Sequence, residues 1–367
     1  MNRERALKAL RGEPVDRIPH WEHFSNPRYE ELVTGIDPWA RPRSARQALL
    51  RALPIDVIGA GGIPADDTPL PRLPDDQEVF TDAEGRLSVR WGTGTTWHWD
   101  WGRRFRTIED VLAYDPMADL DQTNADVVVN YDYRLSVEEL ARQFQESLDR
   151  SREAAGESAL ISLGFYNSLF MWPLLTFGWE LMLELGAGHK GEMKRLLAGF
   201  AYRSRKAFQA LALTDVEVIT SHDDICYQAG PVFSPAWYRE MIFPYYEEFW
   251  SYPRAAGIKI IFLSDGNVDL VADDVVACGA DGIMSEPYTN WPEIARKHPD
   301  IILVGDGDHR VLMTEERGAI EEMVKRMAAL GREHPRYYMS LGNHTPWHLS
   351  TASIQAYFEA SERYARY

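Results

Sequence analysis

The chain contains little cysteine, has a deficit of positive charge and lacks any long apolar run. Only two of its 367 residues are cysteines, Cys226 and Cys278. This excludes a disulfide framework and any cysteine-rich zinc or iron–sulfur cluster. The net charge of −17 opposes binding to nucleic acid and to anionic membrane surfaces, because both repel an acidic protein. No apolar run is long enough to span a membrane, and the first residues have the pattern of a charged amphipathic helix. We therefore expect a cytoplasmic protein.

The composition is otherwise that of an ordinary soluble protein, with 45% hydrophobic and 26% charged residues. No low-complexity stretch or Gly/Ser linker divides the chain, so we predict one domain over residues 1–367. A helical pattern over Asn2–Leu10 precedes β-hairpins that we predict as an insertion over residues 79–106. Ser136 and Glu139 have the spacing of a capping box at the start of a long helix.

Most of the chain alternates apolar runs of strand length with helical patterns. The runs lie at Ile55–Ile58, Leu160–Leu163, Val216–Thr220, Ile258–Leu263, Gly282–Ser285, Ile301–Val304 and Tyr337–Leu341. The later helical patterns lie at Lys190–Leu213, Ser234–Ala256, Asn267–Ala277, Trp291–Lys297 and Thr314–Leu330. Strands that alternate with helices indicate parallel βαβ units, and six or more such units in one chain favour a closed barrel. We predict an α/β fold, a (β/α)₈ TIM barrel with N-terminal helical and β-hairpin additions.

Polar side chains follow five consecutive predicted strands, at the end of a barrel where catalytic groups lie. In chain order they include His222 and Asp224, then Asp265, Glu286, Asp308 and His344. Capping of the following helix is the simpler explanation for any one of them, but it is less convincing for five strands in register. Carboxylates gathered in one mouth repel each other unless protons, a metal such as zinc or a cationic substrate offset their charge.

Aromatic residues gather in two places. Trp99 lies in a tryptophan-rich part of the predicted hairpins, and Tyr166 and Trp172 follow the Leu160 strand. Such a surface could line a pocket for an aromatic or apolar ligand. A hairpin packed over the barrel, or a contact between two copies in a homodimer, explains the hairpin cluster equally well. We predict Trp99, Tyr166, Trp172 and Asp308 as substrate-binding residues.

Several motifs resemble those of the uroporphyrinogen decarboxylase superfamily over nearly the whole chain. They are Arg3–Leu7, Leu10–Pro19, Gly230–Pro235, Ser264–Asn267 and Leu341–His344. The resemblance implies a TIM barrel with its active site at the C-terminal ends of the strands. The motifs are specific for the superfamily and not for one reaction.

Two departures from the family patterns narrow the function that the resemblance implies. True uroporphyrinogen decarboxylases carry Arg-Gln-Ala-Gly-Arg where this chain has the run 21–27, Trp-Glu-His-Phe-Ser-Asn-Pro. An acidic mouth would repel their polycarboxylate substrate, which needs fixed cations in order to bind. Methanol and methylamine methyltransferases carry His-x-Cys-Gly where this chain has Leu263-Ser264-Asp265-Gly266. The chain is most similar to the branch with Ser-Asp-Gly-Asn and Gly-Asn-His motifs, which includes aryl methyl ether demethylases.

The resemblance thus implies methyl transfer from a small, aromatic O-methyl donor to a corrinoid protein. The chain has no corrinoid-binding D-x-H-x-x-G run, so the cobalamin would arrive on a partner protein. Zinc would be bound by Asp265, Glu286 and His344. The predicted catalytic residues are His222, Asp224, Asp265 and His344.

Two other functions remain open from the sequence. One is a metal-free decarboxylase or other lyase for a small carboxylate, with Asp56, Asp224 and His344 as acid–base groups. The other is a catalytically inert barrel that binds a ligand or a partner. Metal analysis separates methyl transfer from the lyase, and activity that depends on pH separates the lyase from an inert barrel.

Overall fold

The helices and strands follow the sequence patterns over most of their length. A computed structural model describes residues 2–61, 64–70, 72, 79–81, 87–91, 94–97, 104–121, 131–345 and 347–367. The helices are α1 Asn2–Leu10, α2 Pro27–Thr34, α3 Pro42–Ala52, α4 Ile108–Ala113, α5 Val137–Ala155, α6 Met171–Phe177, α7 Trp179–Gly188, α8 Lys190–Leu211, α9 Pro235–Met241, α10 Phe243–Ala255, α11 Ala272–Ala277, α12 Trp291–Lys297, α13 His309–Met313, α14 Arg317–Glu333 and α15 Thr351–Tyr364. The strands are β1 Val57–Gly59, β2 Val79–Thr81, β3 Leu87–Trp91, β4 Gly94–Trp97, β5 Leu160–Phe165, β6 Val218–His222, β7 Cys226–Tyr227, β8 Gly230–Pro231, β9 Lys259–Leu263, β10 Gly282–Ser285, β11 Ile302–Asp306 and β12 Tyr337–Ser340.

Seven parallel strands and one short segment close the predicted barrel. The sheet has the order β1-β5-β6-β9-β10-β11-β12. His20 and Trp21 form parallel bridges to Met339 of β12 and Val57 of β1, and so join the two edges of the sheet. The Trp21 N–H donates to the Met339 carbonyl at 2.9 Å, and the Val57 N–H donates to the His20 carbonyl at 3.0 Å. The (β/α)₈ prediction is therefore confirmed, and its first strand is a segment that the apolar pattern did not reveal.

The additions before the main run of βα units include an antiparallel sheet of β2, β3 and β4. These strands lie inside the range 79–106 and agree with the predicted hairpins. The remaining residues of that range, apart from 104–106, lie outside the described residues. The capping box is also confirmed, since the Glu139 N–H donates to Ser136 Oγ at 3.1 Å and the Ser136 N–H donates to Glu139 Oε2 at 2.7 Å.

Alternation along the strands decides which side chains face the barrel axis. One apolar cluster fills the interior, and it comprises Trp21, Val57, Leu160, Val218, Ile261, Leu263, Met284, Ile302, Val304 and Tyr338. Ala6, Ala9 and Leu10 of α1 belong to the same cluster, so α1 plugs the end at which the strands begin. Since side chains two apart share a face, the residues that follow this layer toward the strand ends point into the opposite mouth.

One predicted helix is two helices in the structure. The pattern over 234–256 divides into α9 and α10 at Ile242, whose φ of −122° and ψ of −52° interrupt the helix. Pro244 lies in the first turn of α10, where its missing N–H costs nothing. Proline also disfavours helical geometry at the residue before it and blocks a continuous helix. In the described part of the chain, no helix combines the length and the hydropathy that a membrane span requires.

Candidate active site

Four sequence-predicted residues meet at the ends of three neighbouring strands. His222 ends β6, Asp224 lies two residues further on, Asp265 lies two residues beyond β9, and Glu286 follows β10. Hydrogen bonds join them: His222 Nε2 lies 3.0 Å from Asp224 Oδ1, and the Asp265 N–H donates to the same oxygen at 3.0 Å. The Gly266 N–H donates to Glu286 Oε2 at 2.7 Å. The strand-end rule therefore located a connected cluster of ionisable groups in the mouth.

Asn343 links two carboxylates of this cluster. Its Nδ2 atom lies 3.2 Å from Asp265 Oδ1 and 3.2 Å from Glu286 Oε1. Its Oδ1 atom accepts a hydrogen bond of 2.7 Å from the His344 N–H. Asn343 belongs to the Gly-Asn-His motif of the sequence, but it was not among the predicted site residues. The signal available was its position, three residues after β12.

Two glycines allow the loops to bring these side chains together. Gly266 has φ +82°, and a Cβ there would lie 2.4 Å from the Tyr227 carbonyl oxygen. Gly342 has φ +74°, and a Cβ there would lie 2.8 Å from the Ser285 carbonyl oxygen. Each backbone conformation favours glycine, and each close approach excludes a side chain. The two positions thereby place Asp265 and Asn343 over the end of β10.

Asp223 anchors the wall of the mouth and is not part of the cluster. Its fully buried carboxylate accepts hydrogen bonds of 2.6–2.7 Å from the N–H groups of residues 169–171 and one of 2.7 Å from Tyr246 Oη. Burial nevertheless raises the pKa of Asp223 to about 6. These bonds fix the loop after β5, and Tyr166 in that loop lies edge-on to His222 with ring centroids 4.3 Å apart.

The charges in the mouth favour one ion pair and one carboxylic acid. Burial favours neutral His222, but the Asp224 carboxylate outweighs it and the pKa of His222 is raised. The pKa of Asp224 is held below its ordinary value, because His222 outweighs the effect of burial. Burial and the Asp224 charge raise the pKa of Asp265 to about 7. In the residues that the structure describes, no lysine or arginine forms an ion pair with Asp224, Asp265 or Glu286.

Three further histidines line the mouth in neutral form. His23 follows the first barrel segment, and its ring centroid lies 5.3 Å from that of His344. Burial, with His344 and His222 nearby, lowers the pKa of His23 to about 3, and burial lowers that of His309 to about 4. His344 is open to solvent at the rim of this concave site, and partial burial together with His222 lowers its pKa. The sequence prediction did not include His23 and His309 among the site residues.

Trp172 does not reach the mouth, which corrects its prediction as a substrate-binding residue. It is fully buried in α6, and its ring stacks on that of Phe200 in α8, with the ring centroids 6.2 Å apart. Its Nε1 donates to Ser204 Oγ at 2.9 Å. The Arg203 guanidinium covers the ring at 5.0 Å. These contacts make it a core residue. Trp99 lies outside the described residues, so its predicted role stays a prediction.

Asp308 and Asp56 have structural contacts that account for them. Asp308 is the N-cap of α13 and accepts from the Arg310 N–H at 2.8 Å and from Arg310 Nη2 at 2.8 Å. Asp56 lies directly before β1, at the end of the barrel opposite the mouth, and forms an ion pair of 2.6 Å with Arg5. Asp56 therefore cannot act together with Asp224 and His344, as the lyase hypothesis required.

The predicted zinc ligands do not form a ready-made metal site. In the part of the chain that the structure describes, no group of three or more His, Cys, Asp or Glu side chains could hold a metal ion. Asn343 donates from an amide nitrogen to two of the predicted ligands, Asp265 and Glu286, and a donor amide nitrogen is not a metal ligand. Zinc stays a prediction from the resemblance, and no step proposed below uses it.

The His222–Asp224 pair should make stability depend on pH. Because the pKa of His222 is raised in the folded state, its contribution is present below its ordinary value of 6.5 and is lost as pH rises through the raised value. We expect His222→Gln to lower the free energy of unfolding more at about pH 6 than at about pH 9. Urea denaturation at both pH values measures this difference. The difference should vanish when Asp224→Asn is already present, and a difference that persists would contradict the pairing.

Comparison with known proteins agrees with the fold. The family model "Uroporphyrinogen decarboxylase (URO-D)" matches residues 117–364. A methyltransferase from Methanosarcina mazei has a similar structure, with a TM-score of 0.64 and 15% identity over 99% of this chain and 98% of that one. D-psicose 3-epimerase from Clostridium cellulolyticum H10, solved with D-tagatose, has a TM-score of 0.34 and 11% identity over 64% of this chain and 88% of that one, which is too remote to argue from. No curated protein matches the sequence significantly.

Proposed function

The chain belongs to the uroporphyrinogen decarboxylase family, and from that premise and the chemistry of the mouth we propose that it is a methyltransferase. In this proposal it takes the methyl group of a small aromatic methyl ether and passes it to a corrinoid on a partner protein. The observation that carries the proposal is the Asp265 carboxyl group, which lies among Asp224, Glu286 and Asn343. The Methanosarcina mazei methyltransferase supports the fold of this proposal and not its substrate.

Asp265 supplies what an aryl ether needs in order to lose its methyl group. Phenoxide is a poor leaving group, so the ether oxygen requires an acid as the carbon–oxygen bond breaks. A carboxyl group whose pKa is raised to about 7 keeps a protonated population at neutral pH, which an ordinary aspartate lacks. Its proton goes to the ether oxygen, which keeps the electron pair of the broken bond. The products are a phenol and the Asp265 carboxylate, which regains a proton from water.

The methyl carbon needs a nucleophile that this chain does not supply. A corrinoid in its Co(I) state on the partner protein would supply that nucleophile, and the methyl group would leave the ether bonded to it. The chain's own residues hold the donor: the Tyr166 ring, with 41% of the residue exposed, can pack against an aromatic ring. The neutral imidazoles of His23 and His344 can donate or accept hydrogen bonds to a phenolic oxygen without adding charge.

The lyase hypothesis fits this mouth less well. A decarboxylase must bind the carboxylate of its substrate, and a fixed arginine or lysine usually does this. The acidic side chains of the mouth instead disfavour such a substrate, and Arg310, whose charge acts on Glu286, is already paired with Asp308 at 2.8 Å. One of the three acid–base groups that the hypothesis needed, Asp56, lies at the other end of the barrel.

Purified protein tests the proposal when it is mixed with free cob(I)alamin and a panel of methoxybenzenes. We expect a phenol to form in step with the loss of Co(I) absorbance, and we expect no reaction with the matching ethylbenzenes, which lack the ether oxygen. The same panel should include methoxybenzoates, with carbon dioxide as a second measured product. Carbon dioxide without a phenol would contradict methyl transfer and restore the lyase.

Removal of metal ions should leave this activity unchanged. We expect protein dialysed against EDTA to keep its rate, because the proposed acid is a carboxyl group and the Asn343 nitrogen donates to two of the three predicted zinc ligands. Elemental analysis before and after dialysis gives the zinc content. One equivalent of zinc, lost together with the activity, would instead support Asp265, Glu286 and His344 as ligands.

A further inference from the structure

We propose that Asn343 is a positioning residue, whose side-chain amide holds the carboxylates of Asp265 and Glu286 side by side where a cation would otherwise be needed. The structural part of this inference is independent of the reaction. Its kinetic part rests on the proposed function, since it concerns how Asp265 presents its proton.

The amide of Asn343 has only one orientation that suits its neighbours. Its oxygen accepts from the His344 N–H, so its nitrogen must face the two carboxylates. An amide nitrogen carries two hydrogens and no acceptor, and the distances of 3.2 Å allow one hydrogen for each carboxylate. A flipped amide would place an oxygen between two carboxylate oxygens and leave the His344 N–H facing a donor. The assignment of oxygen and nitrogen therefore follows from the hydrogen bonds.

The two hydrogen bonds from Asn343 to Asp265 and Glu286, called the clamp below, offset the repulsion between these carboxylates. Asp265 and Glu286 follow adjacent strands, β9 and β10, and both accept from one Asn343 nitrogen at 3.2 Å. Two charged carboxylates around one nitrogen repel each other in a partly buried site. A metal ion or a proton is the usual remedy, and a donor shared between the two reduces the repulsion without a net charge. Backbone N–H groups add to this: that of Gly266 donates to Glu286 Oε2.

The clamp also decides which oxygen of Asp265 carries the acidic proton. The Asn343 amide nitrogen can only donate, so Asp265 Oδ1 acts as the acceptor and any proton on the carboxyl group lies on Oδ2. No described residue donates to Asp265 Oδ2, which leaves that oxygen for a substrate. Loss of the clamp would let the carboxyl group rotate about its side-chain bonds and would present the proton in several directions.

A kinetic comparison tests the positioning role. We expect Asn343→Ala to lower kcat by about 10- to 100-fold with little change in KM for the methoxybenzene, because misplacement of a reacting group acts on the transition state. Asn267→Ala is the matched control, since that asparagine caps only the Asp269 N–H in the neighbouring loop. A rise in KM with unchanged kcat would overturn the positioning role and make Asn343 a binding residue. Unchanged kcat and KM would overturn it as well.

A binding measurement tests the clamp without any turnover. Asn343→Asp replaces the shared donor with a third carboxylate of the same shape, which creates a set of three oxygen ligands with Asp265 and Glu286. We expect calorimetric titration with zinc chloride to show weak binding to the wild type and at least about tenfold tighter binding to Asn343→Asp. Asn267→Asp should bind no better than the wild type.

The two measurements separate this inference from the proposed function. If no methoxybenzene reacts, the proposed function fails and the zinc titration alone judges the clamp. Tight stoichiometric zinc binding by the wild type would overturn the clamp, because a cation would then hold the two carboxylates. Equal zinc affinities of wild type and Asn343→Asp would also overturn it, provided that thermal melting shows both proteins folded.

Discussion

Asp265→Asn should lower kcat by about 10²- to 10⁴-fold, the usual contribution of a positioned general acid. The variant keeps the shape of the side chain and loses the transferable proton. The fold should be unaffected, because the Asp265 side chain bonds only to Asn343 in the described structure. Phenol formation from a methoxybenzene with cob(I)alamin measures the rate, and circular dichroism measures the fold.

The pH dependence of the wild type provides a second measure of the same group. With a pKa of about 7, Asp265 is protonated below that pH and loses its proton above it. An acid is active in its protonated form, so kcat/KM should fall as pH rises through about 7. Asp269→Asn, a control in the same loop whose carboxylate accepts from the Asn290 N–H, should retain both rate and profile. An Asp265→Asn variant with wild-type kcat would remove Asp265 from the mechanism.

Asp56→Ala should lower the free energy of unfolding by about 3–5 kcal/mol and leave the rate of the folded protein unchanged. Asp56 is fully buried, and its loss would leave Arg5 and Arg17 without their buried counter-charge. The His20 N–H, which donates to Asp56 Oδ2 at 2.8 Å, would also lose its acceptor. Urea denaturation measures the loss of stability.

Asp16, the exposed partner of Arg5, provides the control for Asp56. Asp16 also binds Arg5, at 2.6 Å, but its side chain is 69% exposed. Asp16→Ala should therefore cost no more than about 1 kcal/mol, as exposed ion pairs do. Comparable losses in the two variants would show that burial does not decide the strength of this network. A lower kcat in folded Asp56→Ala would revive its role as an acid–base group.

The regular part of the barrel could be predicted because strands and helices each impose a period on the sequence. The predicted bounds of α12 and β10 agree with those in the structure, Trp291–Lys297 and Gly282–Ser285. The first barrel segment could not be found in this way. His20 and Trp21 make only a bridge on each side, so no run of alternating residues is needed. Its existence depends on Met339 and Val57, which are distant in the sequence.

Site residues were predictable where ionisable side chains follow a strand end. They were unpredictable where contacts with other side chains decide their role. His222, Asp224, Asp265 and Glu286 meet because parallel strands end at one rim. The sequence cannot show that Asp308 is neutralised by Arg310, two residues further on. Nor can it show whether an aromatic residue after a strand turns toward the axis, like Tyr166, or away from it, like Trp172. The orientations of Tyr166 and Trp172 both follow from packing against elements far away in the chain.

The closure of the barrel at His20 and Trp21 determines when the protein can finish folding during its synthesis. The hydrogen bond from the Leu341 N–H to Glu22 joins residues 319 positions apart. At a translation rate of 5–20 residues per second, the first strand waits roughly 15–60 s for its partner to be made. Until then the nascent sheet has two open edges that can pair with other chains. A shortened C-terminus that removes β12 should therefore yield an aggregating sheet and not a smaller barrel.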